Sequence, residues 1–131
     1  MELASEKLLS FERGTTIFKE GDHGADMYLV KSGEIEIYRV RHGIRIQLSL
    51  IGPGEVFGIL ATLGNHERAA AADAIQKSEI VVIPSKHLEA VLQTTPAWLK
   101  VLIKNLISTV NNINDKYVTA AIELDKHIKK K

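Results

Sequence analysis

The stretch FGILATLGNHERAA, residues 57–70, sets an arginine between an acid and a run of small side chains, ten positions after a glycine. Those residue types at that spacing suit the capture of an anion. Gly58 lets the main chain approach a ligand closely, because no Cβ stands in the way. A one-turn helix around Leu60 to Thr62 points its first N–H groups, those of Leu60 and Ala61 among them, at the same place. Arg68 brings a planar guanidinium to it. Ala69 and the alanines that follow to position 72 leave room beside the arginine, so the segment reads as a phosphate cradle. The plainer alternative is a surface arginine paired with Glu67 or Asp73.

The elements that must position this segment change character along the chain. ELASEKLL, with leucines at 3, 8 and 9 beside charges, predicts a short amphipathic helix within residues 1–14. From Thr15 to about residue 84, TTIF, MYLV, EIEIYRV, IRIQLSLI and EIVVI are short runs rich in Ile, Val, Tyr and Phe, separated by glycine-bearing turns. Such runs predict an antiparallel jelly-roll barrel. In EIEIYRV, Ile35, Ile37 and Arg39 fall on the face opposite Glu34, Glu36 and Tyr38, the period of two of a half-buried strand.

After Ile83 the period becomes helical. PSKHLEAVLQTTP predicts a short helix over 85–95, with Ser85 as its N-cap and Leu88, Val91 and Leu92 as its buried stripe. A second helix, over 96–128, carries Leu99, Ile103, Leu106, Val110, Ile113, Tyr117, Ala120 and Leu124 at alternating steps of four and three. That is a heptad seam, on a helix whose stretch from about 97 to 127 alone measures roughly 45 Å at about 1.5 Å per residue. A partly β domain cannot cover such a length, so the seam predicts a homodimer through this C-terminal helix. The fold class is α+β and mainly β, in one domain over 1–131.

FKEGDHGADMYLVKSGEIEIY and IGPGEVFG, taken with the order of elements, resemble the cyclic nucleotide-binding domain shared by catabolite-activator-type regulators, kinase regulatory subunits and gated channels. The resemblance implies that residues 57–71 are the phosphate-binding cassette, with Gly58, Leu60, Ala61, Arg68 and Ala69 at the cyclic phosphate. One position departs from the family. Where the resemblance implies a glutamate that accepts a hydrogen bond from the ribose 2'-hydroxyl and helps to hold the arginine, this chain has Ile59. Losing that acceptor should cost on the order of 2 to 4 kcal/mol, roughly a 30- to 1,000-fold weakening. The resemblance also implies polar residues of the long helix near the base. In NNIND, Asn111 and Asn114 are the candidates, and a solvated helix flank is as good a reading of them.

Composition and motifs exclude several function classes. With 17 basic and 16 acidic residues the chain lacks the field that gathers nucleic acid, and without cysteine it has no thiolate chemistry. The histidines lack the spacing of metal ligands, and no nucleophile elbow or Walker loop is present, so neither an enzyme nor a metal protein is expected. ELDKHIKKK follows the seam where a catabolite activator continues into a DNA-reading domain; no sequence-specific DNA binding and no membrane insertion are expected, and a cytoplasmic location is. Two functions follow. One is a degenerate cyclic nucleotide-type module, with a weak nucleotide ligand at most and no cofactor, acting as a dimeric adaptor for a signalling protein. The other is a genuine cyclic nucleotide sensor that signals to a partner through its C-terminal helix.

Overall fold

The computed structural model describes residues 7–64 and 66–129. In chain order the elements are β1 (Lys7–Phe11), β2 (Thr16–Phe18), β3 (Met27–Ser32), β4 (Ile35–Arg41), β5 (Ile44–Ile51), β6 (Val56–Phe57), α1 (Ile59–Leu63), β7 (Ala71–Ala74), β8 (Ser78–Ile83), α2 (Ser85–Gln93) and α3 (Ala97–Lys129). The strands form two four-stranded sheets, ordered β1-β8-β3-β6 and β2-β7-β4-β5, with every pairing antiparallel. The arrangement is jelly-roll-like, and the two sheets stay separate instead of closing into one barrel.

Val30, Phe57 and Ile80 from the first sheet bury against Ile35, Ala72 and Ala74 from the second. The rings of Phe18, Tyr28 and Phe57 extend this core toward one end, with Tyr28 and Phe57 centroids 5.1 Å apart and Phe18 and Tyr28 6.0 Å apart. On β4 the expected alternation is present. Ile35 and Arg39 are buried on the inner side, whereas Tyr38 donates its hydroxyl proton to Asp73 Oδ1 at 2.8 Å on the outer side, beneath an Arg45 guanidinium 3.6 Å from its ring. Arg45 also pairs with Glu36 and with Asp73.

Two irregularities shape this sheet. His42 and Gly43, with φ of 53° and 73°, make the tight left-handed turn that suits the twist of a β4–β5 hairpin. Further along, Ile37 faces Ser49 and Tyr38 faces Gln47, so Leu48 is the extra residue of a bulge.

The helix expected within residues 1–14 is corrected where it can be seen. Lys7–Phe11 is a strand paired residue for residue with β8, with Leu9 and Phe11 turned to the core; residues 1–6 lie outside the described residues. A leucine-rich segment this short takes its form from its neighbour, and the edge of β8 supplies main-chain partners that a lone helical turn lacks. The N-cap of α2 is also corrected. Pro84 stands there, and Ser85 is the first helical residue, its N–H donated to Asp26 Oδ1 at 3.1 Å. Along α2, Leu88 and Leu92 are half-buried while Val91 is exposed.

α3 runs for 33 residues, roughly 50 Å. One of its faces, with Ile107, Asn111, Asn114 and Val118, turns toward the rest of the chain, and Val118 is buried. The heptad seam lies on the adjacent face. Leu99 and Ile103 are half-buried, whereas Leu106, Val110, Ile113, Tyr117 and Leu124 are exposed.

The turn between β3 and β4 depends on Gly33. Its φ is +94°, and a Cβ there would stand 2.1 Å from Ser78 Oγ and 2.6 Å from the Lys77 carbonyl. Gly33→Ala is therefore expected to lower the unfolding free energy by roughly 2–4 kcal/mol, read from a urea transition of unchanged slope.

Candidate functional site

Arg68 is drawn into the protein, with 4% of its surface exposed. Its main chain is fixed first. The Arg68 N–H donates to the Asp22 carbonyl at 2.9 Å, and its own carbonyl accepts from Gly21 N–H at 2.8 Å, so the loop before β3 pairs with the segment before β7. The side chain then reaches across, with Nη1 donating to the Gly58 carbonyl and Nη2 to the Asp26 carbonyl, each at 3.0 Å. The guanidinium lies 4.2 Å from the centre of the Phe18 ring. Burial pushes its pKa below the ordinary arginine value, opposed by Tyr28 and Asp26, and an arginine remains a cation regardless. Burial also pushes the Tyr28 hydroxyl up, against the pull of the Arg68 charge.

Gly58 caps α1 in the left-handed region, with φ of 84°. A Cβ there would meet Arg68 Nη1 and the Asp26 carbonyl, both at 3.0 Å. The close approach that the glycine permits is thus made by the guanidinium itself. Thr62 fixes the same small helix by donating its hydroxyl proton to the Ala25 carbonyl. Because Asp26 also accepts from Ser85 N–H, a single loop joins the cassette arginine, α1 and the start of α2.

Beside Arg68 is a cavity of about 230 Å³. Gly58, Ile59, Leu60, Ala61, Arg68 and Ala69 all line it, so the residues expected at the cradle are brought together. Ile59 is the first residue of α1 and is 40% exposed, its alkyl chain forming part of the wall. Asn114 lines the cavity as well. Asn111 lies instead at two neighbouring clefts, with its Oδ1 buried and lacking a hydrogen-bond partner. Of the seam residues Val110 reaches the cavity. The pairing of Arg68 with Asp73 does not occur, since Asp73 is engaged by Tyr38 and Arg45 on the outer face of the sheet.

Several contributors had no motif to announce them. Ile37, Leu48 and Ser49 form the sheet side of the cavity, the last two where β5 bulges. Arg39 is buried under Ala69, donating from Nε to the Ala69 carbonyl at 2.8 Å and from Nη1 to Asp115 Oδ1 of α3 at 2.6 Å. The inward phase of β4 was the available signal for it, an arginine at an apolar position of a strand.

A family model for the cyclic nucleotide-binding domain matches residues 8–95. The chain is similar to the cyclic AMP receptor protein of Thermus thermophilus, at 34% identity over 87 residues, 66% of this chain and 40% of that protein. It is similar also to a CRP-like cAMP-activated global transcriptional regulator of Mycobacterium tuberculosis, at 30% identity over 116 residues, 85% of this chain and 52% of that one. The chain thus spans about half the length, or less, of these relatives. Among solved structures, the Thermus thermophilus catabolite activator protein superposes with a TM-score of 0.64 at 30% identity, covering 94% of this chain and 55% of that one. Among the described residues no helix is long and apolar enough to cross a membrane.

The fork of Arg68 has a structural cost when removed. Lysine offers a point charge where two carbonyls await parallel donors, so Arg68→Lys is expected to destabilise the fold by roughly 1–3 kcal/mol. Chemical denaturation in the absence of any nucleotide measures this.

Proposed function

We propose that this chain, which belongs to the cyclic nucleotide-binding domain family, is a non-enzymatic regulatory module whose grip on a nucleotide is weakened at the sugar and which acts as a dimeric adaptor for a signalling protein. The observation that carries this reading is the pair Ile59 and Arg68. Ile59 lines the cavity with an alkyl chain at the position where the family resemblance implies the acceptor for a ribose hydroxyl, and the guanidinium already holds the carbonyls of Gly58 and Asp26. A hydroxyl that loses its water and gains no partner opposes binding. The phosphate contact then falls to Arg68 with Gly58, Leu60, Ala61 and Ala69, and the base contact to Asn114.

The dimer is supported by the exposed seam. Leu106, Val110, Ile113, Tyr117 and Leu124 run along α3 on a face beside the cavity, and a parallel second copy covers such a row by knobs-into-holes packing. The second reading, a true sensor, is favoured by the intact cavity between α1 and α3. It keeps the same partner-dependent output and differs in affinity.

Calorimetry with cyclic AMP tests the pair directly. Ile59→Glu is expected to raise affinity by at least about tenfold, close to 1.4 kcal/mol, and Arg68→Ala in that background to remove the gain. Low-micromolar binding by the wild-type chain that Ile59→Glu weakens would instead establish the sensor. For the assembly, sedimentation is expected to give a dimer at tens of micromolar and a monomer for Leu106→Lys, which sets a charge in the desolvated seam. A monomeric wild-type chain at that concentration counts against the adaptor.

A further inference from the structure

The walls of the cavity beside Arg68 are Phe18, Leu48, Ile51, Val56, Ile59 and Val110, with Ser49 and Asn114 as its polar side chains. Arg68 is its one charged lining residue among those described, and it is almost fully buried. A cation in that setting has shed most of its water, and its guanidinium lines the cavity while bonded to the Gly58 and Asp26 carbonyls beside Tyr28. The guanidinium favours an anionic head. The apolar walls favour a body without hydroxyls, because each hydroxyl placed against Ile59 or Leu48 gives up water for an alkyl neighbour.

From this we infer that the cavity takes an amphiphilic carboxylate, its head on Arg68 and its apolar body between Ile59, Leu48 and Val110. The inference rests on the reading that Ile59 withdraws the sugar's acceptor, and it names what the altered cavity accepts in place of a nucleotide. Ile59 becomes a specificity-determining residue. It excludes a polar ring next to the head and contributes apolar contact to a hydrocarbon.

Titration calorimetry on the full chain, with decanoate, hexanoate, decanol and cyclic AMP, tests it. Decanoate should bind at least about tenfold more tightly than decanol, since the alcohol cannot form the charge-assisted bonds. It should also exceed hexanoate, by up to about fourfold for each methylene that the cavity buries. Ile59→Glu should weaken decanoate by about tenfold or more, because it adds a like charge beside the head and removes apolar wall. Arg68→Gln should do the same where it folds. Ile59 is partly exposed, so the glutamate variant keeps the test valid if the glutamine variant does not fold. Equal affinities for decanoate and decanol, no decanoate binding, or decanoate binding unchanged in Ile59→Glu would each overturn the inference. If Ile59→Glu abolishes decanoate binding yet leaves cyclic AMP binding unaltered, the carboxylate site stands and the sugar argument falls.

Discussion

A buried guanidinium holding two main-chain carbonyls is the constraint around which this end of the molecule is built. Arg68 ties the residue before α1 to the residue before β3, its rigid planar guanidinium donating to both acceptors from one charged group. The surrounding glycines follow from it. Gly24 and Gly58 both lie against the guanidinium, at positions where a Cβ would stand 3.3 Å and 3.0 Å from its nitrogens. The Phe18 ring completes the enclosure, offering a π face that partly replaces the water the cation has lost. With Asp26 serving Arg68 through its carbonyl and α2 through its carboxylate, the cassette and the helical region share one small joint.

α3 divides its surface between two tasks. The face bearing Ile107, Asn114 and Val118 belongs to the fold, and the neighbouring face is a row of large apolar side chains left in solvent. The cavity opens near the boundary between these faces, where Val110 belongs to both the cavity wall and the seam. A change in the cavity is therefore adjacent to the surface most in need of a partner.

Much of this arrangement was legible in the residues because it is written in short-range patterns. Period-two runs mark strands whatever their partners, and the glycine, small helix and arginine of the cassette lie within a dozen residues of one another. What escaped reading depends on distant neighbours. KLLSF fits a helix as well as a strand until β8 supplies its partner. Ser85 looks like a cap until Asp26, 59 positions away, takes its N–H. The bulge that places Leu48 and Ser49 at the cavity comes from the register of β4 against β5, to which neither sequence testifies alone. Arg39 was visible as an inward residue of β4, but its two partners, at Ala69 and Asp115, come from elements that only the packed structure brings together.

The position of Arg39 links the long helix to the cassette. One guanidinium bonds the cassette segment before β7 through the Ala69 carbonyl and α3 through Asp115. Ala69 lines the cavity, so one side chain joins the cavity wall to α3, and any coupling that passed through it would run equally from either side.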